Sequence, residues 1–130
     1  MTIKVVIPTA LKTGFEPMTP GEYKGEIKEI RQTKIRSGRH EGIASVDVAV
    51  QFEDGRYVWK VLPLFNNKQY NALSDGDKKW VQMSLMSFMN ALGLDSEIPD
   101  DVVGKEVKVL VGVHQDNGYG VQNSIVKFLK

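Results

Sequence analysis

The sequence contains no cysteine among its 130 residues. That excludes a disulfide scaffold, a thiolate zinc site and a cysteine nucleophile. It has only two histidines, His40 and His114, too few for a histidine-rich metal site. No apolar run approaches the roughly 18 residues of a membrane-spanning helix. The N-terminus, Met1 to Ala10, lacks the basic start and long apolar stretch of a secretory signal. Neither a phosphate-cradling glycine loop nor a nucleophile elbow nor an HExxH zinc motif occurs. Asp95, Glu97, Asp100 and Asp101 lack the central glycine and distant glutamate of an EF-hand and read as solvated loop acids. An excess of one charge is missing too, since the formal net charge is +1. These absences describe a soluble cytoplasmic protein that is not an enzyme and has no catalytic residues, metal or cofactor. The mixture of 42% hydrophobic and 25% charged residues suits one globular domain with a real core.

The charge is unevenly spread. Lys24 to His40 holds six basic and two acidic residues, whereas Leu94 to Glu106 holds five acidic residues and one lysine. Residues 1–20, with three of the five prolines, read as an extended arm leading into a domain over 21–130. Gly21 to Thr33 reads as a strand with Tyr23 and Ile27 on one face. Ile30 falls out of phase, which calls for a bulge or bend. Ile35 to Gly42 is a loop. Ile43 to Glu53 is the clearest strand, with Val46, Val48, Val50 and Phe52 alternating with polar or small residues. Asp54-Gly55 signals a hairpin, and Arg56 to Leu64 returns. A two-residue turn would put Tyr57 and Trp59 on the core side, whereas a three-residue turn sends Trp59 to the other face.

Asn66 to Leu73 allows a short helical turn. Ser74 to Leu92 is the one substantial helix, with Ser74 as cap, Asp77 in a weak capping box, and Gly93 as its stop. Val81, Leu85, Phe88 and Leu92 form its apolar stripe, widened by Met89. Trp80, Met83 and Met86 read as packing residues beside it. Val102 to His114 is a strand with Val107, Val109, Val111 and Val113 on one face. Gln115 to Gly118 is a turn, and Tyr119 to Phe128 a final strand.

The order β-β-β-α-β-β predicts a mainly β fold: a five-stranded Greek-key barrel of the OB type with one helix plugging it. Such barrels bind along their second and third strands, helped by the loops between strands 1–2 and 4–5. Here those positions carry cations and rings. Arg31, Lys34, Arg36, Arg39 and His40 lie on the first strand and its loop. Arg56, Tyr57, Trp59 and Lys60 lie on the third strand, and Tyr119 follows the last turn. Cations that track phosphates and rings that stack on bases are what a single-stranded nucleic acid requires. A solvated loop and a barrel core are the plainer readings of the same residues.

The sequence resembles a family of small bacteriophage proteins encoded near replication and recombination genes. Some members are described as domains of unknown function and others as OB-fold single-stranded DNA-binding proteins. The resemblance runs over about residues 14–130. It is carried by Phe15–Tyr23, Val46–Gly55, Phe88–Asp95, Val103–Lys105, Asn117–Tyr119, Asn123 and the closing Phe128-Leu129. It implies a sequence-nonspecific single-stranded DNA-binding protein of phage replication or recombination, acting in the host bacterial cytoplasm. The alternative is an OB-like protein–protein adaptor of the same machinery without DNA affinity of its own. Replication and recombination proteins are partners under either reading, a membrane is not, and a homo-oligomer is compatible with both. Two features depart from the resemblance. The chain ends Lys127-Phe-Leu-Lys130 rather than in an acidic tail, and Asn66 to Lys79 is longer than the usual link before the helix.

Overall fold

β1 (Gly21–Lys34) is the longest strand at 14 residues, and the rest of the sheet is arranged around it. The computed structural model describes residues 2–4, 17–116 and 120–130. β2 (Ala44–Phe52) pairs antiparallel with β1 from Gly25↔Phe52 to Lys34↔Ala44. β3 (Tyr57–Pro63) pairs with β2. β4 (Glu106–Asp116) pairs with the first half of β1, from Gly21↔Val111 to Glu26↔Glu106, and β5 (Gly120–Leu129) pairs with β4. The sheet order is therefore β3-β2-β1-β4-β5, all antiparallel.

The register of β1 on β2 shifts between Ile27 and Glu29, leaving Lys28 without a partner opposite. Such a bulge bends and twists the strand. It also answers the phase problem in the sequence. Ile27 faces Val50 and Ile30 faces Val48, so both isoleucines turn inward. A second shift between Leu110 and Val111 bends the β4–β5 pair. The sheet curls into a half-barrel, and its two edges approach where Arg56, at the entry to β3, donates to the Asn123 amide oxygen on β5 (3.3 Å). The architecture is mainly β and consistent with an OB-like fold.

The concave side is filled by Ile27, Val48, Val50, Leu62, Val109, Val111 and Ile125, and by the helix that covers it. α1 (Asn67–Asn71) is one turn closed by a capping box between Asn66 and Gln69. α2 (Asp75–Val81), a π-helical stretch (Gln82–Met86) and α3 (Ser87–Ala91) then follow without a break. This is the expected helix, with Ser74 as its cap. Its middle is wider than an α-helix. The buried Ser84 hydroxyl donates to the Trp80 carbonyl (2.6 Å) and the Ser87 hydroxyl to that of Met83 (2.7 Å). Ser87 Oγ also accepts the Phe128 N–H (3.0 Å), which ties the helix to β5. Phe88 is fully buried and meets Phe128 edge-to-face at 5.0 Å.

Three expectations need correction. β4 begins at Glu106, not Val102, because Asp100–Val102 forms a 3-10 turn that drops Val102 into the core. Val113 does not continue the buried valine stripe; it is 43% exposed, beyond the part of β4 that pairs with β1. Gln115 and Asp116, expected in a turn, belong to β4, which continues to Asp116. Residues 117–119 lie outside the described residues, as does most of the proposed arm. Met18, near the arm's end, exchanges two backbone hydrogen bonds with the Asn123 side chain (2.7 and 3.0 Å). No helix among the described residues is long and apolar enough to cross a membrane.

Gly25 pairs with Phe52 on β2 and with Val107 on β4. A Cβ there would lie 2.5 Å from Val50 Cγ1 and 3.0 Å from the Gln51 carbonyl oxygen. Gly25→Ala should therefore cost about 1–3 kcal/mol in urea denaturation through overpacking. Gly76, near the start of α2, has only Ser74 Oγ at 4.0 Å. Gly76→Ala should move stability the other way, by about 0.5–1 kcal/mol.

Candidate functional site

The β2–β3 turn decides which side chains reach the convex face. The Phe52 N–H donates to the Arg56 carbonyl and the Gly55 N–H to that of Phe52, both at 2.9 Å. Three residues, Glu53 to Gly55, thus make the loop, with Gly55 at φ +92°, where a side chain would be strained. The pairing becomes Gln51↔Tyr57, Val50↔Val58 and Ala49↔Trp59. Val58 and Leu62 turn inward, and Tyr57, Trp59 and Val61 turn outward, 54%, 42% and 38% exposed. The ambiguity left by Asp54-Gly55 is resolved in favour of exposed rings.

The bulge in β1 supplies the other half of this face. Beyond it Glu29 pairs with Ala49 and Arg31 with Asp47, so both stand on the side opposite the core. The Arg31 guanidinium lies over the Trp59 ring, 4.5 Å from its centroid, and its Nε donates to Glu29 Oε1 (2.9 Å). Cation–π contact of this kind is attractive on a water-exposed face. Lys28 is paired with Glu26 and is an electrostatic neighbour of the Tyr57 phenol. The hydrogen bond and charge of Glu26 hold the Lys28 ammonium above its ordinary value of 10.5. Trp59 therefore has a β1 cation over its ring, and Lys28 stands on the same side of the sheet as Tyr57. Lys28, Glu26, Glu29 and Val61 were not among the expected site residues. The out-of-phase Ile30 signalled a bulge but not which side chains it turns outward, and Val61 follows from the three-residue turn.

The structure divides the remaining expected contacts. Arg56 folds into the turn, with its side chain 14% exposed and its Nε on Asp54 Oδ2 (2.8 Å). Lys60 pairs with Val48 in the register and turns to the concave side, where burial lowers its pKa from the ordinary 10.5. Neither shares the face of Tyr57 and Trp59. Lys34 and Arg36 are exposed at the end of β1 and in the β1–β2 loop, without an ion pair among the described residues. Tyr119 lies outside the described residues.

Arg39 and His40 have a different duty. The Asp77 carboxylate takes Arg39 Nη2 on one oxygen and His40 Nε2 (3.1 Å) on the other. An ionised carboxylate only accepts, so His40 carries its proton on Nε2. The imidazole stacks on Trp80 (5.9 Å, 20°) and meets Phe65 edge-on (5.3 Å). These contacts pin the β1–β2 loop to the start of α2. Burial pushes the Asp77 carboxyl up, but the hydrogen bond from His40 and the Arg39 charge outweigh it and hold it below its ordinary value of 3.8. Among the described residues no group of three or more His, Asp or Glu is placed to hold a metal ion.

The fold and this face define a small β half-barrel with a plugging helix and a convex surface of paired rings and cations. Residues 7–130 match the family described as protein of unknown function DUF669, and the chain belongs to that family. No curated protein matches the chain.

Because the Asp77 pKa is depressed by folding, its contribution to stability is present above the ordinary carboxylate range. It is lost as pH falls through the folded value, which lies below 3.8. Asp77→Asn should destabilise the protein at pH 6 and progressively less below pH about 4, as wild-type Asp77 itself becomes neutral. Urea titrations of both proteins across that range measure it. A difference that stays constant down to the acid limit would contradict the latch.

Proposed function

We propose that the protein binds single-stranded DNA, without marked base preference, across the convex face of β1, β2 and β3. The observation that carries this is the pair of exposed rings, Tyr57 and Trp59, on the same face as Lys28 and with the Arg31 guanidinium over the Trp59 ring. Exposed rings stack on any base, and cations follow the phosphates, so such a face is sequence-tolerant. Lys34, which alternates to the other side of β1 from Arg31, and Arg36 add exposed cations where the strand runs into its loop, whose position is fixed by the latch at Asp77. The strand order supports an OB-type Greek-key barrel whose seam between β3 and β5 lacks a continuous ladder, and OB barrels bind ligands on this side. The resemblance of the sequence to phage single-strand binders favours a role in phage replication or recombination, in the host cytoplasm. A second reading has one observation in its favour. β3 is an edge strand, and its exposed stripe includes Val61, which suits a protein partner as well as a base.

Titration with oligo-dT separates the two. Binding should quench tryptophan emission in the wild type, and the quench should disappear in Trp59→Phe, because Trp80 is engaged with His40. Log affinity should fall with log salt by about 0.7 per phosphate contact. Lys34→Glu with Arg36→Glu should flatten that slope by about 1.4. Lys127→Glu with Lys130→Glu, at the far end of the opposite edge strand, should change it much less. No affinity for oligo-dT at low salt would leave the adaptor reading.

A further inference from the structure

Residues 26–31 read Glu-Ile-Lys-Glu-Ile-Arg, an acid-apolar-base unit written twice. In an unbroken strand, alternation would send Glu26 and Lys28 to one face and Glu29 and Arg31 to the other. The bulge at Lys28 cancels that. Both isoleucines face the core, and both acid–base pairs stand on the convex face, Glu26–Lys28 near Tyr57 and Glu29–Arg31 at Trp59. Exposed ion pairs add little to stability, and these four side chains are all 40–51% exposed. Folding alone therefore does not account for two carboxylates, each seated on a cation beside an exposed ring.

A carboxylate and a phosphodiester offer a guanidinium the same thing: anionic oxygens that accept charge-assisted hydrogen bonds. Resting on the proposed DNA-binding role, we propose that Glu29, and Glu26 beside it, occupy phosphate positions in the free protein. Strand binding then proceeds by exchange. A backbone phosphate takes the Arg31 guanidinium from Glu29 and a second takes the Lys28 ammonium from Glu26, while bases meet Trp59 and Tyr57. Glu29 is thus an affinity-setting residue that keeps the cations oriented and makes the face selective. A ligand must bring rings as well as negative charge to displace it, so polyanions without bases compete poorly. Asp47, the cross-strand partner of Arg31, adds to the local negative field and stays in place during the exchange.

The test compares wild type, Glu29→Gln and Glu97→Gln in oligo-dT titrations at several salt concentrations. Glu97 is an exposed loop acid after the helix, and its variant reproduces the change in net charge. Glu29→Gln should bind about two- to fivefold tighter with an unchanged salt slope, because the same phosphate is contacted in both proteins but no carboxylate has to be displaced. Glu97→Gln should match the wild type in affinity. If the wild type binds and Glu29→Gln binds no tighter, or tightens no more than Glu97→Gln, the exchange is overturned and the DNA-binding reading stands. If the wild type does not bind oligo-dT, that reading falls and the exchange falls with it.

Discussion

The bulge at Lys28 is the constraint on which the rest of the structure depends. β1 serves two partners, β4 along its first half and β2 along most of its length. A straight strand could not stay in register with both and also keep Ile27 and Ile30 in the core. One unpaired residue solves both problems. It bends the strand so that the sheet curls around the helix, and it exchanges the faces of everything that follows. The fully buried Ile27 shows how tightly the concave side closes at the bend. The same shift delivers Arg31 to Trp59 on the convex side. Curl and surface chemistry thus have one cause.

A second, non-local constraint acts at the other end of the face. The β1–β2 loop would be free on sequence grounds, but Arg39 and His40 hold the Asp77 carboxylate across 38 and 37 residues of chain. A carboxylate shared by two donors and flanked by the Trp80 and Phe65 rings fixes the loop's direction. The cost is that Arg39 and His40, both expected at the DNA, are engaged elsewhere. The convex face sets Lys28 and Arg31 against Glu26, Glu29 and Asp47 and so has no excess of positive charge. Stacking and locally placed cations carry the proposed binding rather than a broad positive field.

Much of the fold was legible because it is written in local periodicity. The alternation of β2, the stripe of the helix, the Ser74 cap and the misphased Ile30 each point to the element observed. The limits lay where two physical solutions share one sequence signal. Asp54-Gly55 suits a turn of two or three residues, and that choice alone decides whether Trp59, Arg56 and Lys60 face in or out. Val102 and Val113 satisfy a strand pattern at both ends of β4, yet one enters a 3-10 turn and the other lies beyond the part that pairs with β1, paired with β5 alone. Asp77 has the spacing of a capping box, but a better pair of partners exists far away in the chain. For the site, Tyr57, Trp59 and Arg31 could be read from order and composition. Their carboxylate companions could not, because which face they occupy depends on the bulge.

The central claim is that the convex face of β1, β2 and β3 is the contact surface for single-stranded DNA. Amide chemical-shift mapping of the labelled protein during titration with oligo-dT tests it most directly. The account predicts shifts concentrated at residues 26–31, 47–51 and 57–61, extending to Lys34 and Arg36. Shifts confined to β4, β5 or the helix, or no shifts at low salt, would contradict it.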